Sequence, residues 1–181
     1  KVILATKIIG PDQRFKSVRG GANKFDRRNI VTAIEDSLQR LRTDYIDLYQ
    51  LHWPERTVNA FGRLMYQHHP EQTFTPFAEV LGVLGEAVKA GKIRHVGLSN
   101  ETAWGAMRWL AAAEQGAGPR MVSIQNCYHL MNRMFEIGLA EVAIREQIGL
   151  LAFSPLAMGT LSGKYLGGAP PPGARVAIFP H

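Results

Sequence analysis

The sequence predicts an α/β protein made of repeating strand–helix units, and three observations carry that prediction. Short apolar runs alternate with segments whose apolar residues recur at steps of three and four, the pattern of parallel strands joined by helical crossovers. The strands read as near-continuous apolar runs, as expected where both faces of a sheet are covered. Each run also ends in a residue able to hydrogen-bond: Thr6-Lys7, His52, Ser99-Asn100, Gln125-Asn126 and Ser154-Pro155. Polar chemistry at the C-terminal tips of parallel strands is how an α/β barrel assembles its site. An open nucleotide-binding sheet would instead require a Gly-x-Gly-x-x-Gly turn after a strand, and the sequence contains none.

The first strand is expected over Val2–Thr6, with Lys7 at its end, followed by a polar loop from Ile9 to Phe25. Asp26 suits a helix N-cap, since its carboxylate can accept from free N–H groups. The helix behind it carries Ile30, Ile34, Leu38 and Leu41 on one face. A second strand is expected over Tyr45–Leu51, then a long connection from Pro54 to Thr75; loops of that length in a compact domain are often functional. Thr75-Pro76 suits a helix start, where the missing proline N–H costs nothing. Phe77, Val80, Leu81, Leu84 and Val88 form its buried stripe. Lys89 favours the negative helix end, and Gly91 can supply a left-handed cap.

The third strand is expected over Ile93–Leu98 and the third helix over about Glu101–Ala113, with Asn100 placed to cap it. The fourth strand is Met121–Gln125. The fourth helix runs from about Met134 to Glu146, with Phe135, Leu139, Val142 and Ala143 facing inward. The fifth strand is Leu150–Phe153, and the Gly/Pro-rich tail, 166–181, reads as irregular. Residues 1–181 thus make a single domain of about five β/α units, fewer than a complete barrel of about 250 residues needs. Because the first apolar strand begins almost at Lys1, the expectation is an internal piece of a longer barrel.

The composition, 46% hydrophobic and 20% charged, is that of a globular protein. The net charge of +6 favours an anionic ligand such as a dinucleotide phosphate, but it also describes a plain basic surface. The basic residues are dispersed, without the dense block or interleaved aromatics of a nucleic-acid binder. A lone cysteine, Cys127, excludes an internal disulfide or a cysteine metal cluster and fits a reducing, cytoplasmic setting. No apolar run reaches the ~18 residues of a membrane span. His68-His69 do not have metal-ligand spacing, and no metal site is expected.

Lys7 reads either as a site ammonium able to stabilise a phenolate or as a lysine leaving the sheet for solvent. His52 reads as a structural strand-end histidine or as a donor to a carbonyl oxygen, with Trp53 beside it as a pocket wall or as core. The amides of Asn100 and Gln125 offer paired donors and acceptors suited to an amide-bearing ligand. The segment Phe153–Tyr165 offers a flat ring, hydroxyls, Lys164 and glycine-adjacent amides for phosphate, without Walker A spacing.

These motifs resemble those of the aldo-keto reductase family. They are Leu4-Ala5-Thr6-Lys7, Asp47-Leu48-Tyr49-Gln50-Leu51-His52-Trp53-Pro54, the run Gly91–Asn100, Ser123-Ile124-Gln125-Asn126, and Phe153–Tyr165, in the family's order over almost the whole chain. The segments Glu55–Thr75 and Leu161–Phe179 look most like its Tas-like, NADP(H)-dependent branch. The resemblance implies a (β/α)₈ TIM barrel, incomplete here, with this chain supplying strands three to seven. It implies an NADP(H)-dependent oxidoreductase reducing aldehyde or ketone carbonyls to alcohols by hydride transfer. Lys7 and His52 match two of the four catalytic residues; the catalytic Tyr and Asp would lie in sequence before Lys1, near an Asp-Thr-Ala-x-x-Tyr motif. Ser99, Asn100 and Gln125 match positions that hold the nicotinamide carboxamide, and Phe153 the aromatic that stacks on its ring. Ser154, Pro155, Leu156, Gly159 and Lys164 match the pyrophosphate strap, and Arg175 a further phosphate contact. Trp53 would then wall the substrate pocket. The implied partner is a small carbonyl compound, with no nucleic acid and no membrane insertion; the oligomeric state is left open. The isolated chain, without its proton donor, is expected to be inactive. A non-catalytic nicotinamide-nucleotide-binding subunit of a membrane channel is the alternative within the same fold, and a basic anion or nucleic-acid binder the alternative outside it.

Overall fold

A computed structural model describes residues 2–21, 23–61 and 63–178. Five strands run in sequence order across one parallel sheet: β1 (Ala5–Ile8), β2 (Ile46–Leu51), β3 (Ile93–Ser99), β4 (Met121–Cys127) and β5 (Gly149–Phe153). Between them lie α1 (Arg27–Leu41), α2 (Phe77–Lys89), α3 (Ala103–Glu114) and α4 (Leu139–Arg145), with a short α5 (Arg175–Ile178) near the end. Sequential parallel strands with helical crossovers are the architecture of an incomplete (β/α) barrel.

The register Ile8↔Leu51↔Leu98↔Ile124↔Leu150 lays an apolar row across the sheet. Ile8, Leu51, Leu98 and Ile124 are all buried, in one core with Ile30 and Ile34 of α1, Leu81 and Leu84 of α2, and Leu110 of α3. The alternate residues Lys7, Gln50, Gly97 and Ser123 form a second row on the opposite face. That face is uneven: Gln50, Gly97, Ser99 and Ser123 are buried, whereas His95 and Gly149 are exposed and Leu151 is 39% exposed. The expectation of two covered faces therefore holds on the helix side and at the centre of the sheet, and fails at His95 and along β5.

β1 begins later than the apolar run suggests. Val2 and Ile3 are largely exposed, and the Leu4 amide donates to the Asp47 carboxylate (2.9 Å). The ladder starts only at Ala5, so Lys7 lies inside the strand opposite Gln50 rather than after its end. Asp26 caps α1 as expected, accepting from the Asn29 amide at 2.9 Å. Leu41, expected inward, is 41% exposed, because it sits on the last turn beside the left-handed Arg42 that ends the helix. Pro76 sits at the cap of α2, and Gly91 turns the chain out of it with φ of 74°.

Asn100 does not cap α3; Thr102 does, its side chain accepting from the Gly105 amide at 3.2 Å. The single fourth helix expected over Met134–Glu146 is broken into a 3₁₀ turn, Met134–Glu136, and α4. The break falls at Gly138, whose φ of 80° is incompatible with a continuous helix. Two further 3₁₀ turns, Gln13–Phe15 and Arg19–Gly21, occupy the loop after β1. The tail is irregular apart from α5, and its last three residues, Phe179 among them, lie outside the described residues. No described helix is long and apolar enough to cross a membrane.

Gly118, just before β4, touches α2 so closely that a Cβ there would lie 2.6 Å from the Leu81 carbonyl carbon. Backbone cannot yield as a side chain does, so Gly118→Ala should cost about 1–3 kcal/mol. Gly168→Ala, with nothing within 4 Å of its Cβ position, should leave the urea midpoint unchanged, and equal midpoints for the two variants would refute this packing.

Candidate functional site

Because all five strands point the same way, their C-terminal ends deliver His52, Ser99-Asn100, Gln125-Asn126 and Phe153-Ser154 to one rim. Lys7 belongs to the same end, one residue before the close of β1. The His52 amide donates to the Ile8 carbonyl (3.0 Å), continuing the ladder past β2. Its imidazole is pushed down to about 4, first by burial and second by the positive charge of Lys7. Lys7 and His52 are therefore electrostatic neighbours, and at neutral pH the ring is an uncharged donor and acceptor.

Asn100 is the hub of the rim. It adopts φ of 52°, a conformation Asn tolerates better than most residues. Its Nδ2 donates to the His52 carbonyl (2.9 Å) and to Ser99 Oγ (3.2 Å), and its amide donates to the Gln125 carbonyl (3.0 Å). Ser99 Oγ donates to that same carbonyl (2.9 Å). Ser99 is thus spent on fixing the tip of β4, whereas no described residue donates to Asn100 Oδ1. The Gln125 side chain makes no hydrogen bond to a described residue.

A cleft of about 780 Å³ opens beside this hub, lined by Asn100, Asn126, Cys127, Phe153 and Ser154. Phe61 and Leu64 of the 54–76 loop, with Met131, Met134 and Ile137, add apolar side chains to the lining. Beyond Phe153 the chain turns sharply: Ser154, Ala157, Met158 and Gly159 all have positive φ. Lys164 folds back over this turn, so that a Cβ on Gly159 would lie 2.8 Å from its Nζ. Ser162 Oγ donates to the Gly159 carbonyl at 2.6 Å and closes the strap.

Not every predicted residue joins the cleft. Lys7, His52, Ser99 and Gln125 stand on the rim outside the cleft lining, and Pro155, Leu156, Gly159 and Lys164 belong to the strap without lining the cleft either. Arg175 is exposed at the start of α5, and only its neighbour Val176 reaches the cleft. Trp53 is not part of the cleft lining: it donates to the Pro11 carbonyl (3.3 Å), packs near Phe15 and His52, and meets the cleft-lining Phe61 edge-on with centroids 5.9 Å apart. The tyrosines are engaged elsewhere. Tyr49 is buried on the helix face, where desolvation raises its pKa. Tyr45 lies under the Arg94 guanidinium, Tyr66 bonds His68, Tyr128 bonds Glu136, and Tyr165 lies beside Lys164.

One feature of the site has no local sequence signal. Arg56 pairs with Glu101, 45 residues away, and Trp109 Nε1 donates to the same carboxylate at 3.2 Å. Asn126 joins through its Nδ2, donating to the Glu101 carbonyl (2.9 Å). Among the described residues no three His, Cys, Asp or Glu side chains stand together as a metal site.

His52 gives a direct test. Its ordinary value is 6.5 and its folded value about 4, so between these pH values the unfolded chain binds more protons. Stability should therefore fall as pH drops from 6.5 towards 4. Followed by NMR, the imidazole should titrate near 4; Lys7→Met should raise the midpoint while leaving it below 6.5, because burial is the larger cause. A midpoint indifferent to Lys7→Met would mean that the two groups do not share a site.

The Aldo/keto reductase family model matches residues 1–176. Protein tas of Escherichia coli K12 is 49% identical over 179 residues, covering 99% of this chain and 52% of that protein. An aldo-keto reductase of Babesia bovis is 40% identical over 176 residues, covering 92% of this chain and 62% of that protein. Aldo-keto reductase YhdN of Bacillus subtilis is 35% identical over 164 residues, covering 91% and 41%. The chain spans about half the length of the curated relatives it matches. Strand order, rim chemistry and this match over nearly every residue agree: the chain belongs to the aldo/keto reductase family.

Proposed function

We propose that this chain supplies the carbonyl-polarising and cofactor-holding part of an NADP(H)-dependent reductase acting on aldehydes or ketones. The observation that carries the proposal is the juxtaposition of Lys7 with an uncharged His52, bonded through its carbonyl to Asn100.

The residues present fit a nicotinamide nucleotide. Asn100 Oδ1 lacks a donor from the described residues, and the Gln125 carboxamide is unengaged beside it across the β3–β4 pairing. Phe153 offers a ring at the edge of the cleft. The strap concentrates positive-φ residues and the Lys164 ammonium in one turn, and such turns present backbone N–H groups to anions. Asn100, Gln125 and Phe153 would hold the nicotinamide, and Ser154, Gly159 and Lys164 the phosphates. When bound, the nicotinamide supplies the hydride.

The chain's own residues act on the other reactant. Neutral His52 donates a hydrogen bond to the carbonyl oxygen, orienting it without bringing a second positive charge next to Lys7. Lys7 stabilises negative charge, and so favours the phenolate of a tyrosine contributed from outside this chain. Protonation by such a pair contributes roughly 10²–10⁴-fold. The apolar side chains of the cleft, Phe61, Leu64, Met131 and Met134 among them, suit an apolar substrate body.

With the whole gene product, NADPH consumption should depend on an added aromatic aldehyde. Lys7→Met and His52→Ala should each lower kcat/KM by roughly 10²-fold or more, with NADPH affinity nearly unchanged. The 181-residue chain alone should show no turnover above buffer. Reduction at the full rate by Lys7→Met, or by the isolated chain, would overturn the proposal.

A further inference from the structure

We infer that the buried Arg56–Glu101 pair is a positioning device that holds Asn100 in its left-handed conformation and so sets the grip on the nicotinamide amide; this rests on the cofactor reading above. Asn100 is fixed on one side by the bonds to His52 and Gln125 already described. On its other side stands Glu101, whose carboxylate has a side-chain exposure of 3% and is fully engaged. It accepts from Arg56 Nη1 (3.1 Å), from the Thr102 amide (2.7 Å) and from Trp109 Nε1 (3.2 Å). Its backbone carbonyl accepts from Asn126 Nδ2. The residue after Asn100 therefore cannot rotate without breaking four partners.

Arg56 brings the other half of the device. Its side chain is 12% exposed, with the guanidinium 4.8 Å above the Trp104 ring and Nη2 donating to Thr102 Oγ1 at 3.2 Å. Gly105 leaves the room this needs, since a Cβ there would collide with both Arg56 and Glu101. Next to Arg56, Glu55 accepts from the Thr75 amide at 2.6 Å and ties the far end of the 54–76 loop to its near end. The loop that carries Phe61 and Leu64 is thus clamped to the β3–α3 junction where Asn100 sits.

A buried ion pair is a poor source of stability, because desolvation offsets its attraction, and apolar replacement of both partners is often neutral. On our inference this pair supplies a fixed geometry next to Asn100 instead, and that separates positioning from mere support. In the whole protein, Arg56→Met should lower the melting temperature, expose the Asn100 amide to hydrogen exchange and raise the NADPH dissociation constant tenfold or more. The double variant Arg56→Met/Glu101→Leu should recover the melting temperature but neither the exchange protection nor the affinity. Arg56→Lys, keeping the charge without the fork, should recover stability and only part of the affinity. Wild-type exchange at Asn100 in Arg56→Met, or wild-type NADPH affinity in the double variant, would overturn the inference. Failure of the unmutated protein to bind NADPH would instead overturn the cofactor reading, and the exchange measurement would still decide the positioning role.

Discussion

Strands hydrogen-bonded in parallel register carry their C-terminal ends to the same edge, so the buried row Ile8, Leu51, Leu98 and Ile124 determines what the next residues can do. A slip of one residue in any strand would exchange its faces. Slipping β2 would turn Leu51 into the open face and bury His52 under the helices. The apolar packing that resists such a slip is therefore also what sets Lys7 and His52 side by side. Gly97 shows how tightly this is drawn: a Cβ there would lie 3.1 Å from the Ser123 carbonyl and 3.3 Å from Gln50 Cγ. A Cβ at Gly97 would also collide with Ser123 Oγ, so β3 and β4 pack tightly beneath Ser99 and Gln125.

Where the register ends, the backbone becomes strained. Arg42 and Gln147 also have positive φ, but they follow helix ends, where such turns are routine. Of the others, Arg19, Phe61 and Met65 lie in the loops after β1 and β2, and Asn100, Ser154, Ala157 and Met158 lie at the sheet rim and strap. A left-handed residue bearing a Cβ costs roughly 1–2 kcal/mol. Such strain persists only where neighbours over-determine it, and around Asn100 they do, with hydrogen bonds reaching β2, β3 and β4.

What was legible in the sequence was whatever depends on neighbours a few residues apart. Asp26 as a cap, the stripe Val80-Leu81-Leu84, the left turn at Gly91 and the last four apolar runs are local, and they appear where periodicity places them. The errors have the opposite character. Val2-Ile3 look like strand but lack a partner, because Asp47 captures the Leu4 amide. Asn100 looks like a helix cap, but the hydrogen bonds that claim it come from β2 and β4, 25 or more residues away in sequence. The residues Gly138 divides have continuous helical periodicity, and only its backbone conformation breaks the run. Arg56 and Glu101 carry no mutual signal at all, since one lies in an irregular loop and the other at a strand exit.

The charge pattern of the rim is more specific than its shape. Lys7 stands near an imidazole whose protonation its charge opposes, and the nearest buried acid described, Glu101, is already paired with Arg56. A structural lysine in such a setting would gain by having a carboxylate partner, and Lys7 has none among the described residues. The rim thus brings together the Lys7 ammonium, an uncharged imidazole and the Gln125 carboxamide, which bonds no described residue. That combination favours negative charge that appears only during a reaction, on a carbonyl oxygen or on the phenol that protonates it.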